Sequence, residues 1–166
     1  MLSHDKNALL TQTGPATPMG RLMRSFWTPA MTAAEVPAAD EPPVRLLLLG
    51  ERLVVFRDTE GRVGVLEENC PHRGASLFFG RNEEGGIRCV YHGWKFDVEG
   101  NSLHLPTEPP GSRMCNNIKA KAFPARIAQV DPQQAAGDAR GECLRLDVVA
   151  HAAAGRLGRQ VQGVTL

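Results

Sequence analysis

Short runs of branched apolar residues, separated by turns that contain glycine, fill the first half of the chain. Segments 44–49 and 52–57 are two such runs, and the pair at 50–51 predicts a two-residue hairpin turn that begins with glycine. A third run at 62–66 follows a turn at 58–61. Runs of this length and composition are typical of strands, so we expect an antiparallel sheet here.

The same pattern continues further along the chain. A strand is predicted at 87–88 after two glycines, and a hairpin is predicted from 94–98 and the stretch that begins at residue 102, with a turn at 99–101. Strands at such short intervals favour an all-β fold, an antiparallel β-sandwich or barrel.

Two segments depart from the strand pattern. Residues 19–27 carry apolar side chains at helix-like intervals and predict a short helix, which we expect to pack on the domain rather than on a partner. Aromatic residues are absent after Phe123, and a stretch rich in Ala, Gly and Arg follows. Segment 125–166 is therefore expected to be loosely structured, with one helix over 144–154.

Composition excludes several classes of function. The net charge is +1, the mean hydropathy is −0.24 and hydrophobic residues make up 42% of the chain. The longest run of leucines, 46–49, is far too short to cross a bilayer, and the N-terminus lacks the pattern of a secretory signal. We therefore expect a cytoplasmic protein that binds neither membrane nor nucleic acid.

Four residues in the middle of the chain carry the chemistry. Cys70, His72, Cys89 and His92 form a Cys-x-His loop and a Cys-x-x-His loop, with sixteen residues between them. A tight loop turns both of its side chains toward one point, so each loop offers one thiolate and one imidazole. This is the ligand set of a Rieske [2Fe–2S] centre. We therefore predict that the two cysteines hold one iron and the two histidines the other.

Zinc is the main alternative for these four residues, because two cysteines and two histidines also form tetrahedral structural sites. Zinc patterns usually pair cysteine with cysteine and histidine with histidine, whereas each loop here mixes the two types. The spacing thus favours the cluster over zinc and over an accidental grouping. The other two cysteines, Cys115 and Cys143, are expected to be free thiols.

The sequences around the two loops resemble the N-terminal Rieske domain of ring-hydroxylating oxygenase large (alpha) subunits, of the phthalate 4,5-dioxygenase type. Five segments carry the resemblance: Thr-Gly-Pro at 13–15 with Thr-Pro-Met-Gly at 17–20, Asn-Cys-Pro-His-Arg-Gly-Ala at 69–75, the run at 74–86, Cys-Val-Tyr-His-Gly-Trp-Lys-Phe-Asp at 89–97, and Leu-Pro-Thr-Glu-Pro at 105–109. The resemblance implies an N-terminal arm at 1–27, a Rieske β-domain with a small cluster-binding subdomain at 28–124, and a divergent tail at 125–166.

The resemblance also implies an electron-transfer function. In this family a flavin- and iron–sulfur-containing reductase supplies electrons, which pass through the cluster to a mononuclear iron that activates dioxygen against an aromatic acid. The implied partners are that reductase and oxygenase catalytic subunits. Arg73 and Lys95 flank the ligands and are either steering charges for an acidic reductase or solvated surface charges.

The resemblance further suggests a low reduction potential. Respiratory Rieske proteins carry hydroxyl donors to sulfur at the positions where this chain has Trp94 and Phe96. Fewer donors stabilise the reduced cluster less, so we expect a potential near the low end of the Rieske range, about −150 mV.

The mononuclear iron site of the family is not found in this sequence. Such a site uses two histidines and one carboxylate, but His4, His104 and His151 show no pair at helix spacing. Asp147 and His151 are four residues apart and are more simply read as an exposed pair. We therefore assign no catalytic residue to the chain, although the family is one of oxidoreductases.

The family pattern ends abruptly after Pro124, which motivates the hypothesis of a reading-frame change or truncation that leaves an open sheet edge. Two alternative functions remain beside the oxygenase-derived module: a stand-alone Rieske ferredoxin-like carrier and a nonfunctional truncated fragment. The N-terminal arm, residues 1–27, favours the oxygenase-derived module over a small ferredoxin.

Overall fold

The computed structural model describes residues 2–109, 111–128 and the backbone of 143–146. Within these residues the fold is built mainly from short antiparallel strands, as predicted. Helices are α1 (His4–Thr11) and α2 (Pro18–Met23). The strands are β1 (Thr28–Thr32), β2 (Val44–Leu48), β3 (Glu51–Arg57), β4 (Val63–Glu67), β5 (Arg81–Glu83), β6 (Gly86–Arg88), β7 (Lys95–Phe96), β8 (Ser102–His104), β9 (Ala122–Phe123), β10 (Ala125–Ala128) and β11 (Cys143–Leu146).

Three antiparallel sheets make up the described part of the chain. The central sheet has the order β2-β3-β4-β9, a second has the order β5-β6-β7-β8, and a third has the order β1-β11-β10. The hairpin predicted between 94–98 and residue 102 is the β7–β8 pair, and the third predicted strand is β4. The second sheet carries the loop with Cys89 and His92 between β6 and β7.

The β2–β3 hairpin is confirmed, but its turn lies one residue earlier than predicted. Leu48 pairs with Glu51, so the turn residues are Leu49 and Gly50, and both have a positive φ (49° and 81°). Two positive φ values are typical of a type I′ turn, whose backbone twist matches that of the flanking strands. The twist requirement therefore outweighs the mild strain of a leucine in this conformation.

Strand β3 separates two hydrophobic cores, because its successive side chains point to opposite faces. Val54 and Phe56 belong to the core that also contains Cys70 and Cys89. Leu53 and Val55 belong to the core on the other face, with Met31, Val36, Val65 and Phe123. Because β3 is buried on both faces, residues 53–56 form a continuous apolar run rather than an alternating pattern.

The expectation of a loosely structured tail is wrong for the part of it that the structure describes. Ala125–Ala128 and Cys143–Leu146 form strands, and the latter pairs with both β1 and β10. The predicted helix over 144–154 is therefore wrong at 144–146, where backbone groups complete the ladder with their neighbours. Residues 129–142 and 147–166 lie outside the described residues.

The N-terminal arm consists of two helices and is fastened to the central sheet. The predicted helix at 19–27 is the shorter α2, which begins where Thr17 Oγ1 accepts a hydrogen bond from Gly20 N at 3.1 Å. Helix α1, which begins at His4, was not predicted. Among the described residues, no helix has the length and apolar character needed to cross a membrane.

Arg24, just after α2, fixes the arm to the β2–β3 hairpin. Its side chain is 4% exposed and donates to Glu51 Oε2 at 2.7 Å and to the carbonyl oxygens of Leu49 and Thr13. Lys121, just before β9, donates to the other carboxylate oxygen of Glu51 at 2.6 Å. Burial by itself raises the pKa of Glu51, but the hydrogen bonds from Lys121 and Arg24 outweigh it and lower the pKa below its ordinary value of 4.5.

The Glu51 contacts predict a pH-dependent stability. Because the folded-state pKa is lowered, the stabilisation is complete above the ordinary pKa and is lost as pH falls through the folded-state value. Glu51→Gln should lower the free energy of unfolding by about 1–2 kcal/mol at neutral pH. The difference in unfolding free energy between wild type and Glu51→Gln should disappear at acid pH. Urea unfolding at several pH values measures this difference. Glu60→Gln, at an exposed carboxylate, is the control with little effect. A gap that is independent of pH would contradict the prediction.

Candidate metal centre

The two loops that contain the predicted ligands have the same backbone arrangement. In the first, Gly74 N donates to Cys70 O at 2.9 Å and Cys70 N donates to Ala75 O at 2.8 Å. In the second, Gly93 N donates to Cys89 O at 3.0 Å and Cys89 N donates to Trp94 O at 2.8 Å. Each loop therefore reverses the chain within five residues. The histidine follows the cysteine after one intervening residue in the first loop and after two in the second, yet both loops form the same type of turn.

A glycine with a positive φ ends each turn. Gly74 has φ 71° and Gly93 has φ 72°, a region that glycine enters without the steric cost paid by other residues. A Cβ at Gly93 would also lie 3.0 Å from Pro106 Cγ, whereas a Cβ at Gly74 would meet nothing within 4 Å. Pro106 belongs to the segment at 105–109, one of those that carry the family resemblance.

The two cysteines lie together in the core. Cys70 and Cys89 are each 3% exposed, and their side chains are hydrogen-bonded to each other. The pKa of the Cys70 thiol is raised to about 11, chiefly by burial and also by the neighbouring Cys89, although backbone N–H groups of His72 and Arg73 lower it. Bound metal would stabilise the Cys70 thiolate and so offset the effect of burial on this thiol.

The two histidine rings also lie close to each other. Their ring centroids are 4.6 Å apart in an edge-to-face arrangement. Burial lowers the pKa of His72, with additional effects of His92 and Arg73, and so favours the neutral form that binds metals. His92 Nδ1 is buried and has no hydrogen-bond partner in the described part of the chain. A buried nitrogen without a partner is costly, and a bond to a metal satisfies it.

The arrangement fits a two-iron group. Residues 2–109 and 111–128 contain no group of three or more His, Cys, Asp or Glu side chains placed to hold a metal ion. A [2Fe–2S] cluster with mixed ligation needs only two protein ligands for each iron. Paired sulfurs on one side and paired imidazoles on the other match that requirement, and the unpaired His92 Nδ1 offers one of the four bonds.

Aromatic rings cover both histidines. The indole of Trp94 stacks on His72 with ring centroids 4.1 Å apart and planes 8° from parallel. Tyr91 is 59% exposed. Its ring centroid lies 3.9 Å from that of His92, and the two ring planes are 47° apart. Trp94 Nε1 donates to Thr107 Oγ1 at 3.2 Å. Sequence reasoning missed both the stacking and Thr107, because the contacts join three separate segments.

Glu68 supports the end of the first loop. Its carboxylate accepts hydrogen bonds from Ser76 Oγ at 2.5 Å and from Arg45 Nε at 2.9 Å, and its backbone oxygen accepts from Leu77 N at 2.7 Å. The Arg45 guanidinium also lies 4.1 Å from the centroid of the Phe78 ring. These contacts tie the first loop to strand β2, and no sequence motif indicated them.

The two basic residues that flank the predicted ligands differ in solvent exposure. Arg73 is exposed, as a steering charge must be. Lys95 is 7% exposed and its Nζ donates to Glu84 Oε2 at 2.9 Å and to Glu84 O at 3.1 Å. The interpretation of Lys95 as an exposed charge, whether for steering or for solvation, is therefore wrong, since a carboxylate neutralises it in a partly enclosed position.

The remaining histidines and cysteines lie apart from the loops or outside the described residues. His4 is exposed in α1, and His104 Nδ1 lies 3.1 Å from Arg88 Nη1. Cys115 is a half-buried free thiol. His151, Asp147 and the side chain of Cys143 fall outside the described residues.

Comparison with known proteins gives one family. The model of the Rieske [2Fe-2S] domain matches residues 26–125. The chain is 52% identical over 126 residues to the phthalate 4,5-dioxygenase oxygenase subunit of Pseudomonas putida, covering 76% of this chain and 29% of that protein. It is 51% identical over 120 residues to the 3-chlorobenzoate-3,4-dioxygenase oxygenase subunit of Comamonas testosteroni, covering 72% and 28%.

This chain is also similar to a solved structure that contains an oxygenase and a ferredoxin. The chain superposes on a chain of the oxygenase and ferredoxin complex of carbazole 1,9a-dioxygenase with a TM-score of 0.57 and 29% identity, covering 74% of this chain and 28% of that one. The first two relatives are oxygenase subunits, and the solved structure contains an oxygenase together with a ferredoxin. The chain spans less than a third of the length of the phthalate and chlorobenzoate relatives.

The contact between Gly93 and Pro106 predicts that alanine is more destabilising at Gly93 than at Gly50. Gly93→Ala should cost about 1–2 kcal/mol of unfolding free energy for the left-handed backbone, and more because Pro106 must move. Gly50→Ala is the matched control, since Gly50 has φ 81° but a Cβ added there would meet nothing within 4 Å. Urea unfolding measures both variants. Equal losses of stability would mean that the Pro106 contact does not restrain the loop.

Proposed function

The chain belongs to the Rieske [2Fe–2S] domain family, and from this we propose that it is the electron-transfer domain of an aromatic-ring-hydroxylating oxygenase of the phthalate dioxygenase type. The family binds a [2Fe–2S] cluster, which when bound accepts and releases one electron at a time. The observation that carries the proposal is the convergence of two matching loops, which brings buried sulfurs together and imidazoles together.

We assign the four loop residues as the ligands of that cluster. Cys70 and Cys89 would hold one iron, and His72 and His92 the other. The paired burial of the thiols and the unpaired Nδ1 of His92 support this division. The backbone N–H groups of His72 and Arg73, directed at the Cys70 sulfur, would stabilise negative charge on it.

The proposed electron donor is a flavin- and iron–sulfur-containing reductase or a ferredoxin. Tyr91 and Val90, beside His92, are each 59% exposed, so the edge of the second loop is open to a protein partner. The proposed acceptor is a mononuclear iron in an oxygenase catalytic domain, for which no residue set was found in the sequence. Its substrate would be an aromatic acid, by likeness to the phthalate and chlorobenzoate enzymes.

A stand-alone Rieske carrier is the second candidate. The likeness to the phthalate enzyme extends over 126 residues, more than the range 26–125 that the general Rieske model matches. This greater extent favours an oxygenase-derived domain. Electron delivery from the reduced chain to a separate oxygenase component, followed by optical spectroscopy, would instead support the stand-alone carrier.

Metal and sulfide analysis tests the ligand assignment. We expect wild-type protein to contain iron and acid-labile sulfide in equal amounts and to give a rhombic paramagnetic signal after reduction. Cys70→Ser and His92→Asn should each lower bound iron at least about tenfold, since even residues that only support metal ligands contribute that much to affinity. Cys115→Ser and His104→Asn are the matched controls and should retain full iron. Recovery of zinc, or iron without sulfide, would refute the assignment.

A redox titration tests the electronic environment. The Trp94 N–H is directed to Thr107 and Phe96 carries no donor, so neither supplies a hydrogen bond to the cluster sulfurs. We therefore expect a reduction potential of about −150 mV, at the low end of the Rieske range. A clearly positive potential would contradict this reasoning.

A further inference from the structure

We propose that Trp94 is a positioning residue, which fixes the plane of the His72 imidazole from the opposite loop. This inference rests on the proposed role of His72 as a cluster ligand. Trp94 follows the second loop in the sequence, yet its ring lies on the histidine of the first loop. The contact is thus a bridge between the two loops that hold the site.

The stacking is the interaction that orients the His72 ring. The two planes are 8° from parallel at a centroid distance of 4.1 Å, so rotation of the imidazole about its side-chain bonds would push it into the indole. No hydrogen bond to the His72 ring is present within the residues that the structure describes. Ligand histidines are usually oriented by a hydrogen bond to their second ring nitrogen. Here an aromatic face takes that place.

Trp94 is itself held firmly enough to serve as a platform. Its side chain is 5% exposed and its Nε1 donates to Thr107 Oγ1 at 3.2 Å. The Phe96 ring meets it edge-on at a centroid distance of 6.5 Å. Its backbone oxygen accepts the hydrogen bond from Cys89 N that closes the second loop. The indole is held by its backbone, by Phe96 and by its N–H group. It can therefore restrict rotation of the imidazole stacked on it.

The second histidine lacks a comparable support. Tyr91 meets His92 with ring planes 47° apart, and the tyrosine is 59% exposed, so fewer neighbours hold its ring in place. His92 is instead held in a setting that buries its Nδ1. The two predicted ligands are therefore oriented by different means, and only His72 depends on a buried aromatic face.

Four variants of the full chain, each loaded with its cluster, test this inference. Trp94→Leu removes the stacking ring, Trp94→Phe keeps a ring but loses the N–H donor, and Thr107→Val removes only the hydrogen-bond acceptor. Trp27→Leu is the matched control, since it makes the same substitution at the other tryptophan, which lies 41% exposed beside Arg126. Circular dichroism verifies that each variant is folded.

The measurements are the g values of the reduced cluster and the rate at which a chelator removes iron. We expect Trp94→Leu to shift and broaden the paramagnetic signal and to speed iron loss about three- to tenfold, the range expected for one aromatic pair. Trp94→Phe and Thr107→Val should fall between Trp94→Leu and wild type, and Trp27→Leu should match wild type. A merely structural role would lower the unfolding temperature but leave the g values unchanged.

The outcomes separate this inference from the proposed function. If wild-type protein holds a [2Fe–2S] cluster and Trp94→Leu gives the g values and iron-loss rate of Trp27→Leu, the positioning role is overturned and the electron-transfer function stands. If Trp94→Leu does not fold, Thr107→Val and Trp94→Phe decide, and wild-type g values in both overturn the role. Wild-type protein without sulfide overturns the proposed function and this inference together.

Discussion

The joint burial of two thiols beside two closely spaced imidazoles is the constraint on which the rest of the site depends. Cys70 and Cys89 are almost fully removed from water, and burial raises the pKa of the Cys70 thiol. His92 Nδ1 is buried without a partner in the described part of the chain. Such a grouping is unfavourable by itself, because buried polar groups need compensation. An iron–sulfur group bound by these side chains would relieve the cost for thiols and imidazoles at once, so the loops proposed as its binding site would also be part of the core.

The architecture places this site against one of the two hydrophobic cores. Strands β3 and β4 lie between two cores, and the thiols belong to the one that also contains Phe56, Ile87 and Phe96. Each loop leaves and rejoins the scaffold through paired backbone hydrogen bonds. Ligands on short closed turns above a packed core lose little conformational entropy when they bind, since most of their freedom is already removed.

Contacts between distant segments add a further layer of support. Glu68 joins the first loop to Arg45 of β2, and Trp94 joins the second loop to His72 of the first. Arg24 and Lys121 converge on Glu51, so the N-terminal arm and β9 meet at one hairpin. The arm is thereby connected to the central sheet, whose strand β4 leads into the first loop, whereas the second loop belongs to the second sheet.

The sequence by itself determined local features: strands β2–β4 and β6–β8, the β2–β3 and β7–β8 hairpins and the four loop residues, because apolar runs, glycine turns and Cys/His spacing act over a few residues. It misplaced the β2–β3 turn by one residue, since the twist of the paired strands selected Leu49 and Gly50. Only the tertiary structure decided that Lys95 is neutralised by Glu84, that 143–146 forms a strand between β1 and β10, and that an indole covers His72. Each of these depends on groups brought together from separate parts of the chain, which no local pattern encodes.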